Sequence, residues 1–593
     1  MRLPRKHLSV VFVTLALLQS SLMGSYASAE TLPTTVTPPP PPVSGYFVDS
    51  YRNNSAVNRT EISNPAIAVL SGFKKLLWTP GVNGNSGNKL NSSVLDANIQ
   101  KVIEIAKRRT PAEADAAYLD DRRKQSYSVI DGLGPLTDIY RKNAGAKTTI
   151  NSIPVDAKMK KYDDEGNNAG DTNSSLGHIV SLVNTLRGSH SSTNPAKEYF
   201  QYARPFRWSS KSVVVPTLIP AINPNPQKDG GFPSGHANAA YLSAYAMAYA
   251  VPERYQELLT RGSELSHNRI VAGMHSPLDV MGGRVMATAL AAAILSDPAN
   301  ESLKKAAYAE AHSKLLTQKG TAQDRFSNYA KNKKEYTERL TYGFRQIQST
   351  TKPMVVPKGA EVLLETRLPY LDSTQRRWVL ATTGLPSGYP VLDDAEGWGR
   401  LNLFAAADGY GAFVHNVTVT MDASKGGFHA LDHWRNNISG TGKLTKKGTG
   451  TLKLEGNNTY FGGTQIDQGT LEGGSQTAFG TGDVTINGGT LSENVSGKLT
   501  IGGNFTQSPQ GTLELTIGSN KDLLEIKGSA ATNGTLRLKF SEKFLPADGV
   551  TIITYGKRQQ NSGFSSIETV GLPSMYKVKV VYNPNSIQLR FTK

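Results

Sequence analysis

The C-terminal quarter of the chain is built around a short triplet that returns at a nearly constant interval. Gly-Thr-Leu begins at Gly450, Gly469, Gly489, Gly511 and Gly534, so that successive copies are 19, 20, 22 and 23 residues apart. A period of this length is typical of one structural unit stacked many times. Glycine allows a turn, threonine favours extended backbone and leucine fills an interior, so each unit would bury its apolar face against its neighbours. The pattern predicts a right-handed β-solenoid over residues 439–593.

The region before these repeats has a helical pattern. Apolar residues recur at three- and four-residue spacing in 93–108, 111–127, 236–250, 252–266 and 280–296, as they do on one face of an α-helix. Residues 45–350 are therefore predicted to form an all-α helical bundle. Residues 351–438 have mixed periodicity and are predicted to be a connecting segment. With 593 residues the chain is long enough for more than one core, and we expect a multidomain protein.

The N-terminal 44 residues predict a signal for export followed by an extended linker. Three cations precede an apolar run over 8–18, and Ala-Ser-Ala at 27–29 is a typical cleavage signal. We predict a signal peptide over residues 1–29 and therefore a periplasmic or extracellular protein. The proline-rich residues 30–44 are predicted to be an extended linker. No later segment is predicted to span a membrane, because the best candidate, 285–295, is too short.

The composition excludes several classes of protein. The chain has no cysteine, which excludes a disulfide framework, a thiol nucleophile and a cysteine-ligated metal. The net charge is +17, or +14 without the three cations of the leader, and this favours anionic substrates. We do not expect nucleic-acid binding, because no dense basic stripe is interleaved with aromatic residues.

Three short motifs in the helical region are candidates for catalytic chemistry, and the first is Lys197-x6-Arg204-Pro205. Two residues seven positions apart lie two turns apart on one face of a helix. Arginine offers a planar fork that matches phosphate, and lysine adds a mobile point charge. A solvated basic face is the competing interpretation of this motif taken alone.

The second motif, Pro233-Ser234-Gly235-His236, lies where a predicted helix begins. Backbone N–H groups at such a position bind anions, and glycine permits close approach. The hydroxyl of Ser234 can donate to an anion oxygen, and His236 would stand over the bound anion. An ordinary N-cap is the competing interpretation of Ser234.

The third motif is Arg269-x5-His275-x3-Asp279. On a helix, His275 and Asp279 would lie one turn apart, so the carboxylate could hold one imidazole nitrogen and leave the other as an oriented nucleophile. Arg269 supplies another candidate phosphate ligand. A histidine held by a local carboxylate for structural reasons is the competing interpretation of the pair.

In this order and spacing, the three motifs resemble the signature of the phosphatidic acid phosphatase type 2 (PAP2) superfamily, and within it the soluble class A bacterial acid phosphatases. The resemblance covers residues 45–350 and implies a phosphoric monoester hydrolase that acts on small phosphate monoesters without a metal or other cofactor. The family usually has serine before the last arginine, where this chain has Asn268. That difference puts a detail of phosphate binding in question.

The resemblance also implies a role for each motif residue. His275 would attack phosphorus, Asp279 would orient it, and His236 would protonate the leaving alcohol and then activate water. The implied phosphate ligands are Lys197, Arg204, Ser234, Gly235 and Arg269. The implied rate falls on both sides of an acidic to near-neutral optimum, because His236 must be protonated while His275 must be neutral.

The region from residue 439 resembles the autotransporter-associated β-strand repeats of secreted passenger domains. This resemblance makes the β-repeat region a candidate for contact with a cell surface or with glycans.

Other functions fit parts of the sequence. A vanadium-dependent haloperoxidase would hold vanadate in the same site, and a non-catalytic adhesin would use only the repeats. A lipid phosphatase more often has spanning helices around these motifs. His429 and His433 with Asp432 could bind zinc, but no third ligand is evident, and the acidic stretch 163–171 lacks the closing glutamate of a calcium loop. No metal is therefore predicted.

Overall fold

The computed structural model describes residues 35–82, 86–542, 544 and 549–592. The predicted signal peptide, 1–29, and the first five residues of the predicted linker, 30–34, lie outside the described residues. Residues 35–42 contain no helix or strand and lie against the folded protein. The carbonyl of Val36 accepts a hydrogen bond from Arg377 (2.7 Å), and the carbonyl of Pro39 accepts one from the Tyr46 hydroxyl (2.6 Å).

The region that precedes the solenoid is mainly helical, as the sequence predicts. It also contains a short antiparallel hairpin, in which Trp78–Pro80 pairs with Gly87–Lys89. Within the described residues, the α-helices of seven or more residues are Ser92–Arg108, Pro111–Arg122, Thr137–Ala144, Gly177–Leu186, Asn194–Phe200, Gly235–Ala250, Tyr255–Val271, Pro277–Ser296, Glu301–Glu310, Tyr329–Thr341 and Ser373–Thr383. Shorter helices are Phe47–Ser50, Pro65–Leu70, Gly72–Leu76, Gln125–Ser128, Pro205–Trp208, Leu403–Ala406 and Gly427–Ala430.

Three long helices form the centre of this region. The helix Gly235–Ala250 packs against both Tyr255–Val271 and Pro277–Ser296. Small residues allow the close approach, since a Cβ on Gly262 would lie only 2.9 Å from the Cβ of Ala244. In the part of the chain that the structure describes, Pro277–Ser296 is the one helix with the length and hydropathy of a membrane span, and its apolar stretch is entirely buried inside the protein.

The β-solenoid consists of two long sheets. The first contains, in spatial order, Leu431–Trp434, Thr451–Leu454, Thr470–Gly473, Gly489–Glu493, Gly511–Ile517, Thr535–Phe540 and Ser566–Val570. The second contains Val417–Thr420, Leu444–Lys447, Thr464–Ile466, Val484–Ile486, Phe505–Gln507, Leu523–Ala531, Val550–Arg558, Ser586–Thr592 and Lys577–Tyr582, with Lys498–Ile501 paired beside Leu523–Ala531. Ala412–Phe413 pairs with Ser439–Gly440 in a separate two-stranded sheet.

The leucines of the five triplets form a ladder inside the solenoid. Leu471 is in register with Leu452 on one side and with Leu491 on the other, and the series continues through Leu513 and Leu536. All five side chains are fully buried. The strands that carry them are parallel, so each turn buries its apolar face against the next, and the predicted β-solenoid is confirmed.

Two glycines of the triplets show why this position needs glycine. Gly469 and Gly489 have φ values of +67° and +68°, in the left-handed region that other residues rarely adopt. A Cβ on Gly469 would also lie 2.2 Å from the carbonyl oxygen of Gly448 in the preceding turn. Glycine therefore permits both the turn and the close stacking.

The first turn of the solenoid is bonded to the segment that precedes it. Asp432 is in register with Leu452, so it occupies the position of a ladder leucine. Its carboxylate accepts hydrogen bonds from Arg367 (2.7 Å) and from the hydroxyl of Tyr370 (2.6 Å). The indole of Trp434 donates to the same hydroxyl at 2.8 Å. Since all of these side chains are buried, the start of the solenoid and residues 360–410 share one core.

Candidate active site

His275 lies in the turn that joins the helices Tyr255–Val271 and Pro277–Ser296. Its backbone N–H donates to the carbonyl of Arg269 at 3.1 Å, which places these two motif residues together. Gly273 has a φ of +72°, and a Cβ there would lie 2.2 Å from the carbonyl oxygen of Val213. The turn is therefore tight enough to require glycine.

The two ring nitrogens of His275 have different neighbours. Nδ1 lies 3.2 Å from a carboxylate oxygen of Asp279, and Nε2 lies 3.0 Å from a guanidinium nitrogen of Arg204. Arginine can only donate, so Nε2 accepts and the proton of the neutral ring is on Nδ1. Burial, followed by the charges of Arg204 and Lys197, lowers the pKa of His275 well below its ordinary value. The imidazole is thus neutral, with its lone pair on Nε2.

Asp279 holds the other side of this imidazole. It lies in the first turn of the helix Pro277–Ser296 and also accepts the backbone N–H of Ser276 at 2.8 Å. Burial raises the pKa of its carboxyl, and the hydrogen bond from Ser276 and the charge of Lys197 act in the opposite direction. The N–H of Ser234 donates to the carbonyl of Asp279 at 2.8 Å, which links the second motif to the third.

Arg204 is held in place by a residue that the sequence motifs do not include. Asp229 accepts hydrogen bonds from Nε of Arg204 (2.6 Å) and from Arg207 (2.7 Å). A second donor bond from Arg204 reaches the carbonyl of Met274 at 2.8 Å. The guanidinium is therefore fixed on two sides while it faces His275.

Lys197, on the helix Asn194–Phe200, lies beside the start of the helix Gly235–Ala250. Its ammonium group donates to the carbonyl of Gly230, and its Cε lies 4.0 Å from where a Cβ on Gly235 would be. Burial and the charge of Arg204 lower the pKa of Lys197, while the charges of Asp279 and Asp229 raise it. Lys197, Arg204 and Gly235 thus adjoin one another.

Ser234 is the N-cap of this helix, since its hydroxyl oxygen accepts the N–H of Ala237 at 3.3 Å. Its hydroxyl proton remains available to donate. His236 follows in the first turn and is partly exposed. Burial, and then the charges of Arg122, Arg204, Lys197 and Arg187 in that order, lower the pKa of His236 to about 3.

Arg269 is buried and forms an ion pair with Asp121. Asp121 also accepts a hydrogen bond from Arg122 at 2.6 Å. The amide of Asn268 donates to Asp120 at 2.7 Å, so it supports the residue next to Asp121. In this chain the residue before Arg269 therefore forms a hydrogen bond with a buried carboxylate.

In the structure His275 contacts Asp279, Arg204 and Arg269 directly, and Ser234 is joined to it through Asp279. Lys197 adjoins Gly235, and His236 is linked to His275 only by the effect of its charge. Sequence reasoning missed Asp229, Asp121, Arg122 and Arg187. One signal was available for Asp121: with Asp120 it forms an acidic pair in the last turn of Pro111–Arg122, where the helix dipole disfavours carboxylates and a cationic partner is expected.

The remaining candidates for metal binding have structural partners. Asp432 accepts hydrogen bonds from Arg367 and Tyr370, and His433 lies 2.9 Å from a carboxylate oxygen of Glu455. Asp164, in the acidic stretch, accepts the backbone N–H groups of Lys124, Thr149 and Gly166. Across the residues that the structure describes, no group of three or more histidines, aspartates or glutamates is arranged to hold a metal ion.

The site and the solenoid each match a known family. Residues 178–302 match the PAP2 superfamily, and this range contains all three motifs. Residues 444–472 match the Passenger-associated-transport-repeat. The chain therefore carries a PAP2 superfamily domain in its helical region, followed by a β-solenoid with autotransporter-associated repeats.

Curated relatives reflect the same two parts. The chain is 36% identical over 119 residues to the non-specific acid phosphatase of Salmonella typhi, covering 20% of this chain and 46% of that protein. It is 30% identical over 259 residues to the Neisserial autotransporter lipoprotein NalP of Neisseria meningitidis serogroup B, covering 38% of this chain and 23% of the relative. An extracellular serine protease of Serratia marcescens is 32% identical over 173 residues, covering 24% of this chain and 16% of that protein. Each alignment spans less than half of the relative.

Proposed function

We propose that this protein is an exported acid phosphatase that hydrolyses phosphate monoesters through a phosphohistidine on His275. The observation that carries the proposal is the arrangement of that imidazole. Nδ1 faces Asp279 at 3.2 Å and Nε2 faces Arg204 at 3.0 Å, so the neutral ring presents a lone pair toward a cationic group. A group of this kind can attack an anion that the same cations bind.

The proposed reaction has two steps. Nε2 of His275 attacks phosphorus in line, and the bond between phosphorus and the ester oxygen breaks as His236 gives its proton to that oxygen. Water then attacks the phosphohistidine, His236 takes a proton from the water, and the nitrogen–phosphorus bond breaks to release phosphate. Asp279 holds the proton of Nδ1 and stabilises the positive charge that develops on the ring.

The phosphoryl oxygens carry the charge of the transition state, and in the proposed mechanism the cations neutralise it. Lys197, Arg204 and Arg269 supply three positive charges, and Ser234 and the N–H of Gly235 donate further hydrogen bonds. We therefore expect turnover to persist in the presence of EDTA.

The low pKa of His236 is consistent with a role as general acid once substrate is bound. In the free site, burial and the neighbouring cations disfavour the imidazolium. A bound phosphate brings negative charge to the same place and raises the pKa of His236. Protonation of His236 is then coupled to substrate binding, which favours acidic to neutral pH.

Export is supported by the C-terminal solenoid. The solenoid carries a passenger-associated repeat, and two of the relatives are an autotransporter lipoprotein and an extracellular serine protease. We propose a periplasmic or extracellular location, with the solenoid as a candidate for contact with a cell surface or with glycans.

The proposal is tested with the purified full chain and two variants. With p-nitrophenyl phosphate, His275→Ala loses nearly all turnover, at least about 10³-fold, because the nucleophile is absent. His236→Ala retains slow turnover of this ester, whose leaving group needs little protonation, and loses more with glycerol phosphate.

The matched control is His312→Ala, since His312 pairs with Glu253 away from the site. This variant keeps wild-type rates. Acid-labile, alkali-stable phosphate on the protein during turnover, absent from His275→Ala, would support the covalent step. Undiminished turnover by His275→Ala would rule out the mechanism.

A further inference from the structure

Three consecutive residues just before the second motif contact both the first and the third motif. The carboxylate of Asp229 binds Arg204, the carbonyl of Gly230 accepts a hydrogen bond from Lys197, and Gly231 lies against Asp279. We call residues 229–231 the positioning segment. It has no predicted catalytic role of its own.

At the two glycines of this segment the neighbouring residues leave little room for a side chain. A Cβ on Gly231 would lie 3.0 Å from a carboxylate oxygen of Asp279, and a Cβ on Gly230 would lie 3.2 Å from the carbonyl oxygen of Lys197. The N–H of Gly231 donates to the carbonyl of Tyr202 at 2.6 Å, which ties the segment to the chain just before Arg204. The segment therefore fits closely between the first and third motifs.

Asp229 makes the strongest of these contacts. Both of its carboxylate oxygens are used, one by Nε of Arg204 at 2.6 Å and the other by Arg207 at 2.7 Å. Its side chain is only 7% exposed, so both bonds are shielded from water. Because Nε of Arg204 is held on one side, another nitrogen of the same rigid guanidinium is fixed at His275.

From these contacts we propose that Asp229 is a positioning residue for the phosphate site, which holds the guanidinium of Arg204 at the reacting nitrogen of His275. This inference rests on the proposed phosphatase function. Its direct consequence is that removal of the Asp229 carboxylate misplaces Arg204 without removing any group that would touch the substrate.

The first test is Asp229→Asn in the full chain. We expect kcat/KM for p-nitrophenyl phosphate to fall about 10²-fold, the usual cost of losing a partner that orients a reacting group. About tenfold of this loss appears as weaker binding of inorganic phosphate, measured by calorimetry. The remainder appears in kcat, since Lys197 and Arg269 still hold the anion.

A pH profile separates positioning from a general loss of structure. Lys197 faces Arg204, Asp279 and Asp229, and of these the two carboxylates raise its pKa. When Asp229 loses its charge, Lys197 gives up its proton at lower pH. The alkaline limb of kcat/KM therefore moves to lower pH in Asp229→Asn, whereas a smaller folded fraction would scale the whole profile without moving it.

Two further variants complete the test. Asp229→Glu keeps the charge, so its alkaline limb stays at the wild-type position and its kcat/KM lies between those of wild type and Asp229→Asn. Asp432→Asn is the matched control, because it breaks a buried pair with Arg367 of the same kind outside the site. We expect this control to have the kcat/KM of wild type, and its kcat/KM to fall at the same acidic and alkaline pH values as that of wild type.

The outcomes are distinguishable. A wild-type chain that hydrolyses no phosphate ester would refute the proposed function, while phosphate binding would still test the role of Asp229. Unchanged kcat/KM and phosphate affinity in Asp229→Asn would overturn the inference alone. Failure of both Asp229 variants to fold would also overturn it, because the residue would then act on the fold and not on Arg204.

Discussion

At the scale of single residues, the site depends on groups whose protonation is set by their neighbours. Arg204 can only donate to Nε2 of His275, so the proton of the neutral ring is on the side of Asp279. Burial lowers the pKa of His275 and that of His236, and the charges of Arg204 and Lys197 act on both in the same direction. Both imidazoles are therefore neutral in the free site, and in the proposed mechanism a bound anion would raise the pKa of His236.

Lys197 sets the expected alkaline limit of activity. Burial and Arg204 lower its pKa, so the ammonium loses its proton below the usual range of about 10. Because only the protonated form binds phosphate well, kcat/KM falls as the pH rises through this lowered pKa. In Lys197→Arg the charge persists at alkaline pH, and we expect the alkaline limb to move to higher pH even though kcat is reduced.

The measurement is a kcat/KM profile of both proteins from acidic to alkaline pH. Lys304→Arg serves as the control, since Lys304 pairs with Glu301 and Glu365 outside the site. An alkaline limb at the same pH in wild type and Lys197→Arg would show that another group limits the rate.

At the scale of elements, one strand of the solenoid departs from the repeat for a reason that can be seen in the contacts. The position that is leucine in five strands of the ladder is Asp432 in Leu431–Trp434, the terminal strand of the same sheet. Asp432 faces Arg367 and Tyr370 from the preceding segment, so the polar side chain is satisfied where the apolar stack ends. Leu431–Trp434, the terminal strand of its sheet, therefore closes one end of the leucine ladder.

Asp432→Asn tests this junction. The change leaves the buried Arg367 without its counter-charge, and removal of one partner of a buried ion pair costs about 3–5 kcal/mol. We expect a clearly lower Tm for the full chain, measured by scanning calorimetry, with kcat/KM unchanged at temperatures where the chain is folded. A Tm equal to that of wild type would show that Arg367 finds another partner.

At the scale of the whole molecule, helices and solenoid are continuous. Most of the buried apolar residues form one cluster that runs from Phe47 through Trp398 and Trp434 to Leu589, and a second, smaller cluster lies within the helical region. Polar bonds link the same parts: Gln256 of the helix Tyr255–Val271 donates to the carbonyl of Phe404 at 2.8 Å, and Arg367 donates to Asp432 of the solenoid at 2.7 Å. The helical region and the solenoid are therefore expected to behave as one unit.

Limited trypsin digestion tests this continuity. Residues 351–438 contain several arginines, but Arg367, Arg377 and Arg400 are each less than a tenth exposed. We expect the native chain to resist cleavage at these three positions, and the chain unfolded in urea to be cut there, with the fragments identified by mass spectrometry. Early release of a separate solenoid fragment by cleavage at these sites would contradict a shared core.

The sequence by itself determined the features that depend on local pattern. A constant period of Gly-Thr-Leu predicts stacking because each copy meets the same environment, and Leu471 and Leu491 do lie in register. Apolar spacing predicted the helices, and the order of three motifs indicated the PAP2 superfamily. These signals persist in a linear chain because the residues that carry them are neighbours or repeats.

Tertiary structure alone decided the partners that come from distant parts of the chain. The pairing of Asp229 with Arg204, of Asp121 with Arg269, and of Asp432 with Arg367 joins residues 25, 148 and 65 positions apart. Burial makes such pairs necessary, since a charge removed from water requires a counter-charge. The partner of each buried charge is set by how the helices and the strand Leu431–Trp434 pack together. No local sequence pattern predicts that partner.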